Sequence, residues 1–382
     1  MKPMGWRFVV VADFGLAGKG AVGLDEALAS SGPEAPRLAL KLLAEQAGTA
    51  VKIEAVSAAP ADAAARFKEA VLEPELKELK EPPLTLVLFD REFSHQPADL
   101  AALTELGQAG AALQAPILAG ASPAFFGLKE IKLLPKLTDL ADRLGDGGHA
   151  AWQRFQKSDA ARWVSLTVNR FLLRAPKDGE KAEDLPWGRG AWLLAAAVAR
   201  AAKDQGHPLD ISGIRAGRFA GMPTRPYPKL ANEFLPLPTE TPVPEQMALE
   251  LSRVGFTALS GQMNGDAITL PLAVNAWRSA PGRLTVSGTL GYQLLAARLA
   301  QFTLFLLDDV PAGAEAAAAH LRTSYAQFLG GILGDAPDAV KVTPVEVKGP
   351  DGAPRPVAEV LIRPAAKLEG MDLQFAFQIP LK

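Results

Sequence analysis

The stretch that decides the fold is residues 84–121, which read LTLVLFDREFSHQPADLAALTELGQAGAALQAPILAGA. Its apolar start, Leu84 to Phe89, predicts a buried strand. Leucines then recur close to one helical face over residues 100–113, and Pro116 ends that helix. The run Ile117 to Ala121 predicts a second strand. Strand, helix and strand at this spacing form a βαβ unit, so we expect an α/β protein whose sheet is at least partly parallel.

The chain before this unit carries further strand and helix patterns. Arg7 to Ala12 predicts a buried strand, Leu38 to Ala47 a helix, Ala50 to Val56 a strand, and Ala61 to Lys80 a helix. Residues 1–150 are therefore expected to form one α/β region.

Composition changes after residue 150, and we expect a second region over residues 151–335. Residues 221–244 contain seven prolines and predict an extended connector, because proline cannot continue a helix. Three helices are predicted around this connector, at residues 191–202, 290–307 and 312–329.

Residues 336–382 predict a C-terminal β-strand region. Val340 to Val347 and Val357 to Ile362 predict strands around a turn at residues 349–352. The final run alternates, with one apolar face made of Leu373, Phe375, Phe377, Ile379 and Leu381.

The charge balance and the absence of cysteine exclude several classes of protein. The 382 residues include 40 basic and 42 acidic side chains, which gives no electrostatic reason to expect a nucleic-acid partner. With no cysteine, disulfides and cysteine-ligated zinc are excluded, and this composition suits a reducing compartment.

Neither apolar run of note predicts a membrane segment. The run Phe8 to Ala12 ends at Asp13, too early for the core of an export signal. The longest run, residues 290–307, has Arg298 at its middle, which costs about 2.5–3.5 kcal/mol in a bilayer. We expect a cytoplasmic protein with no direct membrane insertion.

Candidate chemistry is confined to two aspartates. Asp13 and Asp90 each follow an apolar run, and the carboxyl ends of parallel strands are where α/β enzymes place ligands. Two interpretations stay open: the pair binds a divalent metal in a soluble enzyme, or each carboxylate caps a local turn. Residues 15–20 lack the spacing of a phosphate loop, and the histidines at 95, 149, 207 and 320 lack ligand spacing. No catalytic set and no cofactor site is predicted.

Three collinear stretches resemble a known family. They read FDREFSHQPADL (89–100) with QAPILAGASP (114–123); WQRF (152–155), ARWVSLT (161–167) and NRFLLRAP (169–176); and PTE (238–240) with ELSRVGFTAL (250–259). In this order they are similar to the large subunit of the type VI secretion contractile sheath. Trp163 and Arg174, with the more distant Tyr292 and Arg298, are expected to be core residues on the same resemblance.

The resemblance implies an α/β sheath subunit, with a mixed sheet flanked by helices and β-strand arms at the chain ends. Such a subunit is structural, not an enzyme, and stacks into a helical tube that contracts to drive an inner tube out of the cell. The implied partners are further copies of the chain, a small sheath subunit, the inner tube protein and the baseplate. A sheath-like component that does not contract is the alternative within the same machine.

The expected subunit-interface strands lie at the two chain ends, because exposed strands recruit strands from other chains. They comprise Phe8, Val9, Val10 and Val11 at the start and Leu373, Phe375, Phe377, Ile379 and Leu381 at the end. The alternative for the tail is a strand inside its own domain.

The chain also departs from the family pattern. Its N-terminal portion is shortened, and its opening, Phe8 to Phe14, resembles the opening of the small sheath subunit. Gln301 stands where the family usually has histidine, and residues 176–178 replace a usual Pro-Tyr-Gly. We therefore expect a divergent member.

Overall fold

The computed structural model describes residues 4–16, 18–78, 80–230, 233–280, 282–334, 338–348 and 354–381. They form two compact units, one of Gly5–Leu295 and one of Met4 with the described residues from Ala296 onward. This division differs from the boundaries expected at residues 150 and 335. Strands on either side of residue 150 pair in one sheet, so the first two predicted regions share that sheet.

The larger unit is built on a seven-stranded sheet. The strands of this unit, in chain order, are β1 (Trp6–Ala12), β2 (Val22–Gly23), β3 (Val51–Ser57), β4 (Leu84–Phe93), β5 (Ile117–Ala121), β6 (Val164–Val168), β7 (Arg170–Leu172), β8 (Trp187–Arg189), β9 (Arg218–Phe219), β10 (Arg225–Leu230), β11 (Glu233–Leu237), β12 (Phe256–Ala258), β13 (Ser260–Gly261) and β14 (Ile268–Thr269). The sheet order is β12-β6-β5-β4-β1-β3-β2. All neighbours are parallel except β2, which runs antiparallel to β3, so the expected mixed sheet is confirmed.

Helices connect these strands. They are α1 (Leu24–Leu28), α2 (Glu34–Ala47), α3 (Ala63–Phe67), α4 (Glu73–Lys77), α5 (Pro97–Leu113), α6 (Leu140–Gly145), α7 (Ala150–Gln156), α8 (Gly190–Gln205), α9 (Gly213–Ala216), α10 (Glu245–Arg253) and α11 (Leu290–Leu306). A π-helical segment, Lys68–Leu72, joins α3 to α4, and 3-10 turns occupy Pro123–Phe126, Ile131–Lys136, Gly147–His149, Asp159–Trp163 and Val286–Gly288. The predicted βαβ unit is β4-α5-β5.

Alternating side chains of the strands feed two cores, one on each face of the sheet. Val9 and Val11 of β1 pack into the core that contains the leucines of α5. Phe8 and Val10 point the other way, into the core formed with α2 and α8. Because helices cover both faces, the apolar run of β1 is continuous rather than alternating.

Within the proline-rich segment, residues 225–230 and 233–237 are extended and form β10 and β11. β10 and β11 pair antiparallel, with Pro226 opposite Pro236. Two further small sheets, β13-β14-β9 and β7-β8, complete the larger unit.

The smaller unit contains the end of the chain. Its elements are the part of α11 from Ala296 onward, α12 (Ala314–Leu329), a 3-10 turn at Gly330–Ile332, β15 (Val340–Lys348), β16 (Pro354–Ile362), β17 (Lys367–Leu368), β18 (Met371–Asp372) and β19 (Phe375–Pro380). β15, β16 and β19 form an antiparallel sheet in that order. The predicted tail strands are confirmed, whereas the turn predicted at 349–352 lies outside the described residues. In the part of the chain that the structure describes, no helix has the length and apolar character needed to cross a membrane.

Tyr325 of α12 gives the smaller unit a predictable response to alkaline pH. The side chain is fully buried, its hydroxyl contacts the Thr303 hydroxyl at 2.5 Å, and its ring packs edge-on against Phe302 and Phe377. Burial raises the pKa of Tyr325 to about 12, although the hydrogen bond with Thr303 acts in the opposite direction.

We expect this tyrosine to make the smaller unit lose stability between pH 10 and pH 12. The neutral phenol is favoured in the folded state, and the unfolded chain ionises near pH 10, so the stabilisation is complete below pH 10 and lost as the pH approaches 12. The loss should be on the order of 2 kcal/mol relative to Tyr325→Phe, measured by urea unfolding across this pH range. Parallel pH profiles for the two proteins would contradict the prediction.

Candidate subunit interface

The tail residues predicted to form an interface lie on or beside β19. Leu373, Phe375 and Ile379 are buried, whereas Phe377 and Leu381 are half-buried. β19 pairs with β16 over its whole length. The apolar face of the tail thus covers the core of its own unit, which is the second of the two arrangements expected from the sequence.

The two outer strands of this sheet differ in their protection against further pairing. Within the described ranges, the outer edges of β15 and β19 have no strand beside them. β15 carries Lys341, Glu346 and Lys348 together with Pro344, which are features that discourage an additional strand. β19 reads FAFQIP and has no charged residue. β19 ends on a proline, Pro380, but the rest of the strand carries neither charge nor proline and is therefore the unprotected edge of the sheet.

The backbone groups at this edge can be assigned from the ladder. The Leu381 amide donates to the Pro356 carbonyl at 3.0 Å, so that amide faces β16. In an antiparallel ladder the direction alternates along the strand. The N–H and C=O groups of Ala376 and Gln378 consequently face outward, and both side chains are exposed. The Pro380 carbonyl also faces outward, but proline has no N–H group that could donate a hydrogen bond.

The N-terminal strand has no such edge. β1 lies between β3 and β4 and pairs with both, so Phe8 to Val11 are enclosed by strands of the same chain. All seven residues of β1 are buried. Both edges of the strand are therefore occupied within the chain, and pairing of Phe8 to Val11 with a neighbouring subunit stays a prediction.

The four residues expected in the core occupy different environments. Trp163 and Arg298 are buried, and the Arg298 guanidinium donates to the Met4 carbonyl at 2.6 Å. Tyr292 and Arg174 are only half-buried. Arg174 belongs to a surface ion-pair group, in which it donates to the carboxylates of Glu34 and Glu180.

Asp13 and Asp90, the candidate metal pair, are engaged separately. The Asp13 carboxylate accepts from the Gly15 amide at 3.0 Å, which is a local turn. Asp90 lies inside β4 and not after it, and its Oδ1 accepts from Arg189 at 2.7 Å and from the Trp192 indole at 2.9 Å. A metal at Asp90 would have to displace an arginine, and no cluster of metal-binding side chains occurs among the residues described.

Two of the histidines come together without forming such a cluster. The rings of His95 and His149 are 4.9 Å apart. His149 Nδ1 is 3.0 Å from Asp146 Oδ1, and its Nε2 is 3.1 Å from the Phe125 carbonyl. The hydrogen bond from His149 holds the pKa of Asp146 below its usual value. Both partners of His149 are acceptors, so the ring ties two loops together and its role here is structural.

Sequence reasoning missed a polar cluster at the carboxyl-end side of the sheet. Arg170 donates twice to Glu92, at 2.6 Å for each bond, and its Nε is 3.7 Å from Glu240. Hydrogen bonding to Glu92 raises the pKa of Arg170, and burial raises the pKa of Glu240. Each of the three stretches that carry the family resemblance contributes one member of this cluster. The position of these three charged residues, one in each family-like stretch, was the feature of the sequence that could have predicted the cluster.

Three comparisons bear on the identity of the chain. The family model described as VipB: EvpB/VC_A0108, tail sheath N-terminal domain, matches residues 52–274. The type VI secretion system sheath protein TssC1 of Pseudomonas aeruginosa PAO1 is 26% identical over 202 residues. That match covers 48% of this chain and 41% of the relative, so the chain spans about two fifths of the relative's length.

The fold also has a solved counterpart. A chain in the cryo-EM structure of the anti-feeding prophage baseplate, 6-fold symmetrised, superposes with a TM-score of 0.54. The match covers 99% of this chain and 96% of that chain, at 12% sequence identity, and therefore supports the fold alone. The family model spans more than half of the chain and includes every stretch that carried the resemblance, so this protein belongs to the VipB-type tail sheath family of type VI secretion systems.

Proposed function

We propose that the chain is a cytoplasmic structural subunit of a type VI secretion contractile sheath. It polymerises into a helical tube around an inner tube and contracts to drive that tube out of the cell. Family membership supports this role, and the observation that carries it is the unprotected edge of β19. The partners in this role are further copies of the chain, a small sheath subunit, the inner tube protein and the baseplate.

The outer edge of β19 recruits a strand from a neighbouring subunit. The outward backbone groups of Ala376 and Gln378 supply the hydrogen bonds, and the absence of charge on the strand removes the usual barrier to pairing. Contraction then requires no cofactor, because rigid subunits rearrange about such strand contacts between two packings.

The decisive experiment places charge on this edge. Ala376→Lys with Gln378→Lys should abolish tube assembly, because two outward lysines protect an edge strand from pairing. The matched control is Ala376→Thr with Gln378→Thr, which keeps both positions neutral and suited to a strand. Each protein is imaged by negative-stain electron microscopy, expressed alone and with its genomic neighbour.

The outcomes separate the candidate functions. Tubes from the threonine variant but not from the lysine variant support strand addition at β19, and the sample that yields tubes shows whether a second subunit is needed. Tubes of one fixed length and diameter, with no shorter and wider form, favour a non-contractile component. Tubes from the lysine variant show that β19 is not the assembly edge. Discrete monomers in every sample would reject the sheath role.

A further inference from the structure

A cavity of about 570 Å³ opens beside the Glu92–Arg170–Glu240 cluster. It lies where β4, β5 and β6 end, since Ser122 follows β5 and Asn169 follows β6. In open parallel sheets this is the side on which ligands bind, and the volume is typical of a small-molecule site. Asn169 holds a left-handed backbone conformation with φ of 81°, which is uncommon for a residue other than glycine.

Three buried polar atoms on the cavity lining have no hydrogen-bond partner within the described residues. They are Ser122 Oγ, Arg225 Nε and Glu240 Oε2. Buried polar atoms are nearly always paired, and an unpaired group costs about 1–3 kcal/mol. Ser122 Oγ and Arg225 Nε are both donors, so the two together at one cavity are suited to a bound acceptor, whereas Glu240 Oε2 has Arg170 Nε at 3.7 Å.

The side chains that line the cavity carry more positive than negative charges. Arg170 is neutralised by its paired hydrogen bonds with Glu92, and Lys132 is neutralised by Glu130. Arg225 has no carboxylate within 4.0 Å in the described chain, and its guanidinium instead lies over the rings of Trp187 and Tyr227, 5.3 and 5.1 Å from their centroids. Lys129, also on the lining, forms no ion pair among these residues. Burial lowers the pKa of Arg225 and raises the pKa of Glu240, as expected for groups held out of water without full compensation.

We propose that this cavity binds a single carboxylate or phosphate group, held by Arg225 Nε, the Ser122 hydroxyl and the Lys129 ammonium. An anion accepts from all three donors at once, and charge-assisted bonds of this kind are the strong ones. Glu240 on the same lining is the acidic group that opposes the anion, and Arg170 Nε lies 3.7 Å from its Oε2. The anion comes either from a free small molecule or from an acidic side chain of a neighbouring subunit.

The test titrates inorganic phosphate and acetate into the full-length chain by isothermal titration calorimetry, with chloride at matched ionic strength as the blank. Arg225→Gln should weaken binding by about tenfold or more, and Ser122→Ala should weaken it by several-fold. The matched control is Arg200→Gln. Arg200 is also a half-buried arginine that bonds carbonyls and lies over an aromatic ring, but it does not line this cavity. It should change binding by less than about twofold.

Two further measurements complete the test. Glu240→Gln should keep or tighten binding, since the amide removes a negative charge from the lining and can donate to the anion. Phosphate binding to assembled tubes identifies a free anion as the ligand, whereas binding only to the unassembled chain identifies a carboxylate of the neighbouring subunit. The proposal is overturned if neither anion gives a saturable signal above the chloride blank. Equal affinities of the wild type, Arg225→Gln and Ser122→Ala, with native circular dichroism for each, would also overturn it. Binding to the unassembled chain is measured without tubes, so its result is independent of the proposed sheath assembly.

Discussion

Replacing Arg7 with methionine is expected to lower the free energy of unfolding of the larger unit by about 3–4 kcal/mol. Arg7 is 1% exposed, and its guanidinium donates to both carboxylate oxygens of Glu75, to Glu54 and to the Pro82 carbonyl. Methionine fills a similar volume but leaves Glu75, which is 5% exposed, without its main counter-charge. Lys80 remains 3.2 Å from Glu75, which keeps the expected loss at the lower end of the range for broken buried pairs.

The measurement is urea unfolding of the wild type and the variant, followed by circular dichroism. The control is the double variant Arg7→Met with Glu75→Leu, which removes both charges. It should recover much of the lost stability, because two apolar side chains pack together without leaving a buried charge unpaired. A double variant as unstable as Arg7→Met alone would mean that lost packing, and not the unpaired carboxylate, is responsible.

Elements set by local periodicity were predictable from the sequence. The β4-α5-β5 unit, α11 and the tail strands all follow apolar patterns that repeat within a few residues. The C-terminal strand is the instructive case. The alternating apolar residues of β19 predict which of its side chains are buried. Which edge of β19 is free depends on its pairing with β16, and a local sequence pattern does not predict that pairing.

Pairing between distant segments was not predictable. Phe8 to Val11 form a continuous apolar run, which indicates a strand covered on both faces and is a poor pattern for an exposed arm. The position of this strand between β3 and β4 is set by tertiary pairing, which the local sequence does not show. The expected boundary at residue 150 was placed on a change in composition, whereas the sheet continues across it from β5 to β6.

The candidate sites illustrate the same limit. Asp90 was expected to follow a strand because the apolar run ends at Phe89, but β4 continues to Phe93. The last residues of β4 include Asp90 and Glu92, whose charges are compensated by Arg189 and Arg170 from distant parts of the chain. A single sequence shows the charged residues and not their partners.

Replacing Arg170 with methionine is the second change for which a large effect is expected, a loss of about 2 kcal/mol, which is below the range for fully buried pairs because Arg170 is 34% exposed. Arg170 is the cation between Glu92 and Glu240, and methionine would leave two largely buried carboxylates close together. Arg189, 4.0 Å from Glu92, compensates only in part. Because burial already raises the pKa of Glu240, the repulsion should fall as carboxylates take up protons, so the loss should be smaller at pH 5 than at pH 8.

Arg174→Met is the matched control for this prediction. Arg174 also contacts two carboxylates, Glu34 and Glu180, but Glu34 is 46% exposed, so solvent screens that pair. The expected loss is smaller than for Arg170→Met, with little difference between pH 5 and pH 8, because hydrogen bonds from Arg174 lower the pKa values of both Glu34 and Glu180. Urea unfolding of both variants at the two pH values decides the matter. If Arg170→Met and Arg174→Met lose the same stability at both values, the cluster is an ordinary surface network. A larger, pH-dependent loss at Arg170 alone would show that the three family-like stretches are held together through one half-buried arginine, beside which the proposed anion site opens.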